Sequence, residues 1–155
     1  MKRIIFYVLM NLAFLCRLFG GKLYMRLVVA GHKSQGVIFD GMPEYIQKDA
    51  YLDPSGGLTI GKEVVISTRV VILTHDWSFL KRETSDKCEK RNAFKSVFIG
   101  ENSFVGAGAI VLPGSNIGRN CIIGAGAVVK GVVEDYSIMV GNPAKRIGDT
   151  RLPKV

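Results

Sequence analysis

The sequence predicts an all-β solenoid, because three observations share a period of six residues. β-Branched residues recur at every sixth position, five of these nine anchors are followed by glycine, and the fourth residue past most anchors is short. Glycine itself is over-used, with 18 copies in 155 residues against an average of about 7%. A period of six fits neither a strand nor a helix, but is typical of a coil of three hexapeptides with three flat β-faces. The anchors are Ile60, Ile66, Ile72, Ile99, Val105, Val111, Ile117, Ile123 and Val129.

Three hexapeptides per coil place residues eighteen apart on top of one another, so we expect Ile99 to stack on Ile117 and Val111 on Val129. Before Ile60 the period is weaker, which predicts irregular opening coils over residues 36–59. The chain length fits one domain. The predicted units are an apolar and basic helical segment over 1–35, the hexapeptide-repeat domain over 36–148 and a C-terminal tail over 149–155.

The N-terminal segment contains a mostly apolar run over residues 4–16. A membrane-spanning helix needs roughly 20 residues, and no small-residue cleavage site of a signal peptide follows the run. We expect two short helices broken at Gly20-Gly21, the second over Lys22 to Ala30. They either pack against the domain as a cap or make a peripheral membrane contact through residues 1–30.

Charge and cysteine content narrow the class of protein. Residues 1–39 contain six cations and no acid, which leaves only +2 of the net charge of +8 for the rest of the chain. A nearly neutral body argues against nucleic-acid binding, whereas the basic head suits anionic lipid or phosphate. The three cysteines form no C-x-x-C pair, which argues against a disulfide scaffold or zinc site and favours a reducing, cytoplasmic compartment.

The six-residue period is interrupted once, between Ile72 and Ile99, and the excess predicts an extruded loop over residues 78–98. Thr74-His75-Asp76-Trp77 stands directly before it. Long insertions in rigid solenoids are frequent binding sites. With the gap closed, His75 falls beside Gly114, where the missing side chain leaves room for a ligand.

The anchors, the phrase Val105-Gly-Ala-Gly-Ala-Ile-Val-Leu-Pro-Gly114 and the ending Val140-Gly-Asn-Pro-Ala-Lys-Arg-Ile147 together resemble the hexapeptide-repeat acyltransferases. The resemblance covers about residues 45–148 and is closest to the saccharide O-acetyltransferase branch, such as the maltose and galactoside acetyltransferases. It implies a left-handed parallel β-helix, a homotrimer with active sites at subunit boundaries, acetyl-CoA as donor without a required metal, and a histidine general base.

His75 is the histidine whose position matches that base, and a neutral imidazole can take a hydroxyl proton during attack on a thioester. The same resemblance implies Ala107 and Ala125 as backbone contacts along the pantetheine arm. It also implies that cationic side chains reach the phosphates of CoA, and these are Lys145 with Lys130 and Arg146 as helpers.

The residues expected to contact the acceptor are Asp53, Asp76 and Trp77. By resemblance Asp53 would accept sugar hydroxyls, and Trp77 could stack on a sugar ring. Asp76 directly follows His75, and adjacent side chains of an extended segment point to opposite faces. We therefore expect Asp76 to contact the substrate or a neighbouring subunit rather than to orient His75 within its own chain.

The main functional hypothesis is O-acetylation of a saccharide, in cytoplasmic assembly of a cell-envelope or capsular polysaccharide, with the basic head at the inner membrane face and a saccharide or lipid-linked glycan as acceptor. Two alternatives remain, N-acetylation of an amino sugar nucleotide and a non-catalytic β-helix scaffold. A carbonic-anhydrase-like β-helix is excluded, because its zinc requires three histidines and this chain has two.

Overall fold

The computed structural model describes residues 1–16, 21–78 and 93–152. Within them the chain forms two helices and then a series of short strands. The helices are α1 (Lys2–Cys16) and α2 (Gly21–Gln35). The strands are β1 (Ile38–Asp40), β2 (Tyr45–Ile46), β3 (Tyr51–Leu52), β4 (Leu58–Gly61), β5 (Val65–Ile66), β6 (Val71–Ile72), β7 (Val97–Ile99), β8 (Phe104–Val105), β9 (Ile110–Val111), β10 (Asn116–Ile117), β11 (Ile122–Ile123), β12 (Val128–Val129), β13 (Val132–Val133), β14 (Ser137–Val140) and β15 (Lys145–Asp149).

The strands form three parallel sheets around one interior, so the predicted parallel β-helix is confirmed. Sheet A has the order β1-β4-β7-β10-β13, sheet B the order β2-β5-β8-β11-β14 with β15 at its end, and sheet C the order β3-β6-β9-β12. Each coil passes from sheet A to B to C and returns to A. Three stacks of turns connect the sheets, and we call them the A–B, B–C and C–A corners.

The β-branched anchors form the core of the β-helix. Ile99 pairs with Ile117 and Val111 with Val129, as expected from the spacing of eighteen residues. All nine anchors are no more than 1% exposed. Removal of this apolar surface from water is the main force that holds successive coils together.

The glycines that follow anchors are required by the close approach of neighbouring coils. A Cβ atom on Gly100 would lie 2.5 Å from the carbonyl carbon of Gly118, and one on Gly106 would lie 2.7 Å from the amide nitrogen of Ala125. Both distances are shorter than van der Waals contact. The glycine period therefore marks positions where the backbones of adjacent coils meet.

The opening coil has an irregular spacing, as predicted for residues 36–59, since β1 pairs with β4 at a spacing of twenty-one residues, but its strands pair in parallel like those of the other coils. β2 pairs with β5 and β3 with β6, each at a spacing of twenty residues. The two residues beyond eighteen lie in the turn between β3 and β4, which we call the Asp53 turn (Asp53–Gly57). This longer turn shifts the six-residue period, so the sequence spacing does not reveal that β2 and β3 pair with the next coil.

The insertion leaves the β-helix at the C–A corner, after β6. Its neck is antiparallel, because the amide of Asp76 donates to the carbonyl of Ala93 and the amide of Lys95 donates to the carbonyl of Thr74, both over 2.8 Å. The predicted loop of residues 78–98 ends too late, since Val97 and Phe98 already belong to β7. Residues 79–92 of that prediction lie outside the described residues.

The two N-terminal helices pack against each other, and α2 covers the first coil. The hydroxyl of Tyr24 donates to the carbonyl of Ile46 over 2.9 Å, and the Tyr24 and Tyr45 rings stack at 5.7 Å. The second helix ends at Gln35 rather than at the predicted Ala30. In the described part of the chain, neither helix has the length and apolar character needed to cross a bilayer.

The other end of the β-helix is closed by an antiparallel pair of strands, β14 and β15. The last coil is shorter than the others, because β10 pairs with β13 at a spacing of sixteen residues. Asp149, the first residue of the predicted tail, is the last residue of β15 and pairs with Ser137. The tail therefore begins one residue later than predicted.

Candidate functional site

The candidate site lies at the C–A corner, where the Asp53 turn stacks on the start of the insertion. The amide of Asp53 donates to the carbonyl of Ile72 over 3.1 Å, which continues the parallel register of β3 and β6 into the two turns. This register places the Asp53 carboxylate over the segment Thr74–His75. Two turns from different coils therefore build the site.

The central contact joins an imidazole to a buried carboxylate. Nδ1 of His75 lies 2.6 Å from Oδ2 of Asp53, which is short for a nitrogen–oxygen hydrogen bond and typical of a charge-assisted one. The Asp53 side chain is 5% exposed and that of His75 is 29% exposed. The carboxylate is thus enclosed behind the imidazole, and part of the imidazole remains accessible.

Both oxygens of Asp53 are held by donors from its own turn and from Thr74. Oδ1 accepts hydrogen bonds from the amide of Ser55 over 3.0 Å and from its hydroxyl over 2.6 Å. Oδ2 accepts from the amide of Thr74 over 2.8 Å and from its hydroxyl over 2.7 Å. Burial alone would raise the pKa of Asp53, but these hydrogen bonds from Ser55 and Thr74 outweigh it and hold the pKa well below its ordinary value.

The ionised carboxylate determines which nitrogen of His75 carries the proton. An ionised carboxylate only accepts hydrogen bonds, so Nδ1 must donate to it. In the neutral ring Nε2 then holds the free electron pair. The arrangement supplies what a general base needs, an unprotonated nitrogen on a ring fixed from behind.

Two aromatic rings border the imidazole. The centroid of the His75 ring lies 6.2 Å from that of Trp77 and 6.4 Å from that of Phe94, and Trp77 meets Phe94 edge to face at 5.2 Å. Both aromatic residues are partly exposed, at 44% and 42%. They form an apolar wall beside the imidazole that is open to solvent on its outer side.

Asp76 is an exposed residue whose carboxylate accepts a hydrogen bond from the amide of Ser78 over 2.8 Å. The carboxylate that the fold brings to His75 comes from Asp53, 22 positions earlier in the chain. The expectation that Asp76 does not orient the neighbouring histidine agrees with this arrangement.

The space expected beside His75 at Gly114 is partly covered by a lysine. A Cβ atom on Gly114 would lie 3.3 Å from Cδ and 3.6 Å from Cβ of Lys95, so the aliphatic part of Lys95 crosses the glycine. The expected space is therefore narrowed by Lys95, which the neck of the insertion leads back over the next coil, but it is not closed, because Gly114 still lines a groove. An adjoining groove of about 500 Å³ is lined by Phe94, Lys95, Ser96, Phe98, Gly114, Ser115 and Asn116.

The residues expected to bind the donor are not gathered around His75 within one chain. Ala107 and Ala125 follow β8 and β11, so they lie at the B–C corner, where the amide of Gly126 donates to the carbonyl of Ala107 over 2.9 Å. Lys130 is exposed at the C–A corner, directly after β12. His75 and the two alanines therefore occupy different corners of the β-helix.

The remaining expected cations lie in the terminal strand β15. Lys145 is exposed, whereas the guanidinium of Arg146 contacts Glu134 at 3.3 Å and Asp149 at 3.1 Å. Arg146 is thus held by two acids of its own chain. Lys145 is the terminal-strand cation more open to a ligand.

No role was predicted for Ser55, Thr74, Phe94 or Lys95, although all four build or border the site. Ser55 and Thr74 hold the Asp53 carboxylate, and Phe94 and Lys95 flank the insertion. The available signal was the shift of the six-residue period at the Asp53 turn. A two-residue extension at the same corner as the large insertion indicates that both turns serve one site.

His32 is separate from this site. It is 3% exposed in α2, and its Nε2 atom has no hydrogen-bond partner among the described residues. Burial lowers the pKa of His32 to about 4. Among residues 1–16, 21–78 and 93–152, no cluster of three His, Cys, Asp or Glu side chains could hold a metal ion.

Comparison with known proteins supports the resemblance to hexapeptide-repeat transferases. Residues 96–131 match the family model described as bacterial transferase hexapeptide (six repeats). Protein CapG of Staphylococcus aureus is 47% identical over 93 residues, which cover 58% of this chain and 51% of CapG. WbbJ of Escherichia coli (strain K12), provisionally named a lipopolysaccharide biosynthesis O-acetyl transferase, is 29% identical over 122 residues, which cover 74% of this chain and 61% of WbbJ.

Among solved structures, a maltose O-acetyltransferase from Clostridium difficile 630 superposes with a TM-score of 0.62 at 18% identity, over 96% of this chain and 83% of that one. These matches confirm the resemblance to hexapeptide-repeat transferases. The chain spans about half the length of CapG and about three fifths of the length of WbbJ.

Replacement of the buried carboxylate should remove a pH-dependent part of the stability. Asp53→Asn should lower the free energy of unfolding at pH 7 by roughly 1–3 kcal/mol, because Asn keeps the shape and loses charged hydrogen bonds. The folded pKa of Asp53 lies below its ordinary 3.8, so this stabilisation is complete well above pH 3.8 and is lost as the pH falls toward the folded pKa.

Denaturant titrations of wild type and Asp53→Asn between pH 7 and pH 2 measure this difference. Asp40→Asn, a change at an exposed aspartate of β1, is the matched control and should stay within about 0.5 kcal/mol of wild type at pH 7. A gap between wild type and Asp53→Asn that stays constant down to pH 2 would contradict the assignment.

Proposed function

We propose that this chain, which carries the hexapeptide-transferase repeat, is an acetyl-CoA-dependent O-acetyltransferase that acts on a saccharide hydroxyl in the assembly of a cell-envelope or capsular polysaccharide. The observation that carries the proposal is the His75–Asp53 pair at the C–A corner. The likeness to WbbJ supports an O-acetyl group and a polysaccharide context. The repeat and the ending around Lys145 resemble those of hexapeptide-repeat acyltransferases, and this resemblance supports acetyl-CoA as donor.

In the proposed reaction Nε2 of His75 takes the proton of the acceptor hydroxyl while the oxygen attacks the thioester carbonyl. The tetrahedral intermediate then collapses, the carbon–sulfur bond breaks, and the imidazolium returns the proton to the leaving sulfur of CoA. The products are the acetyl ester and free CoA. This direct transfer needs no covalent enzyme intermediate, so no serine or cysteine nucleophile takes part.

Asp53 serves this reaction as a positioning residue. Its carboxylate fixes the ring and the tautomer of His75 and stabilises the imidazolium that forms during the transfer. Ser55 and Thr74 already engage both of its oxygens. This role therefore replaces the direct contact with acceptor hydroxyls that the resemblance implied for Asp53.

The acceptor binds against the outer side of the imidazole in this proposal. The exposed faces of Trp77 and Phe94 can pack on the apolar face of a sugar ring. The exposed carboxylate of Asp76 can accept hydrogen bonds from sugar hydroxyls. Both sequence-based acceptor candidates near His75 thus keep their role, and Phe94 joins them.

The donor site requires a neighbouring subunit. His75 lies at the C–A corner, whereas Ala107 and Ala125 lie at the B–C corner, so one chain alone does not complete the site. A homotrimer around an axis parallel to the β-helix can bring the C–A corner of one subunit beside the B–C corner of the next. The pantetheine arm would then run along Ala107 and Ala125, and Lys145 and Lys130 would meet the phosphates.

Loss of the base should abolish transfer. His75→Ala should lower kcat by roughly 10²- to 10⁴-fold. Asp53→Asn should lower kcat by roughly 10- to 10³-fold and leave the KM for the acceptor nearly unchanged, because Asp53 acts through the ring. Thiol release from acetyl-CoA is followed with sugars, amino sugars, sugar nucleotides and lipid-linked glycans as acceptors.

Asp40→Asn is the matched carboxylate control and should keep wild-type rates. A rise in acceptor KM without a fall in kcat for Asp53→Asn would favour direct acceptor binding instead. Transfer only to amino sugars would assign N-acetylation, and failure of the wild type to bind CoA would contradict the whole proposal.

Mixed oligomers test whether two subunits share one site. His75→Ala removes the base from one corner and Ala125→Trp blocks the donor groove at another, so each variant alone should be inactive. When equal amounts of the two variants are co-expressed, random assembly into trimers leaves about one boundary in four with two intact corners, which should restore that share of the wild-type rate. Co-expression that stays inactive although the subunits co-purify would contradict a shared site.

A further inference from the structure

The outward half of α1 is almost entirely apolar. Apart from Lys2 and Arg3 at its start, the exposed positions of α1 fall on one side of the helix at about 100° per residue, and Asn11 is the one among them with an amide side chain. Ile4 is 68% exposed, Val8 59% and Leu15 63%. The full set of exposed positions on this side is Met1, Ile4, Ile5, Tyr7, Val8, Asn11, Leu12, Phe14 and Leu15.

This distribution differs from that in an ordinary surface helix, which has an apolar side facing the core and a polar side facing outward. The inner side of α1 already packs on α2, since Ala13 is fully buried and a Cβ on Gly31 would lie 3.5 Å from atoms of Phe6 and Met10. The outward apolar residues are therefore not needed for the packing of α1 on α2. Contiguous exposed apolar surface of this kind marks an interaction site.

The length of α1 limits what it can do in a membrane. Fifteen residues extend over about 22 Å, which is less than the roughly 30 Å of a bilayer core. Such a helix can instead lie parallel to the membrane, with its apolar side among the acyl chains and its ends among the headgroups.

Cations flank the apolar side and indicate the charge of the partner. Lys2 and Arg3 stand at the start of α1, and Nζ of Lys48 lies 3.9 Å from the centroid of the Phe14 ring near its end. The first acid of the chain is Asp40, after six cations. A surface that combines apolar side chains with flanking positive charge is complementary to an anionic lipid bilayer.

We propose that α1 docks this chain on an anionic lipid surface, with Ile4, Val8, Leu12 and Leu15 inserted among the acyl chains and the flanking cations among the phosphates. The proposal does not depend on the proposed catalysis. α1 packs on α2, whereas the His75–Asp53 pair lies at the C–A corner of the β-helix. Docking would bring the β-helix next to acceptors carried on membrane lipids.

Vesicle flotation of the full chain tests the proposal. The wild type should float with phosphatidylcholine vesicles that contain phosphatidylglycerol, float weakly with phosphatidylcholine alone, and dissociate as the salt concentration rises. Failure to float with the anionic vesicles, or equal flotation with both kinds, would overturn it.

Two leucines of similar exposure provide the matched variants. Leu15 on α1 is 63% exposed and Leu152 near the C-terminus is 67% exposed. Leu15→Glu should weaken flotation by at least about tenfold, because it places a charge on the inserted side, and Leu152→Glu should float like the wild type. Equal behaviour of the two variants would overturn the proposal.

A second pair of variants tests the charges. Replacement of Lys2 and Arg3 by Gln should weaken binding to the anionic vesicles by roughly fivefold for each cation, whereas Lys62→Gln, at the A–B corner, should change nothing. Sedimentation in the absence of lipid tests whether a second copy of this chain, rather than lipid, covers the apolar side of α1. If Leu15→Glu dissociates an oligomer and the wild type does not float, the apolar side joins copies of this chain and lipid docking is wrong.

Discussion

The parallel register of the β-helix is the constraint on which the rest of the structure depends. β-Branched side chains stack in the interior, and each coil therefore fixes the height and orientation of the next. This register brings Asp53 and His75, 22 positions apart in sequence, to a nitrogen–oxygen distance of 2.6 Å. Asp53 lies in one turn and His75 in the next turn of the same corner. The chemistry of the site is thus a consequence of core packing several residues away.

The part of the fold in which the six-residue period is kept on both sides of the insertion could be predicted from the sequence. From Ile60 to Val129 the anchors, the glycines and the interruption at the insertion give the coil number, the register and the corner of the site. The strand pairing of the opening coil could not be predicted, because the two extra residues of the Asp53 turn shift the period while leaving the packing of β2 and β3 intact. An extended turn alters the spacing of the anchors in the sequence without changing how the strands pair.

Only those site residues that can be recognised from their own position in the sequence were predictable. His75 is identified by its position beside the insertion, whereas its partnership with Asp53 depends on the register of the opening coil, whose strand pairing the irregular spacing does not reveal. The path of Lys95 over Gly114 depends on the antiparallel neck of the insertion, which no repeat encodes. The outward apolar side of α1 likewise emerges only when α2 is seen to pack against its other side.

The central claim is that a buried, ionised Asp53 holds His75 with Nε2 free to accept a proton. Nitrogen-15 NMR of the side chains tests it directly, since the chain has two histidines and burial lowers the pKa of His32 to about 4, which keeps that ring neutral near pH 7. The account predicts that neutral His75 carries its proton on Nδ1 in the wild type, and that Asp53→Asn loses this preference. A wild-type His75 protonated on Nε2, or a tautomer indifferent to Asp53→Asn, would contradict it.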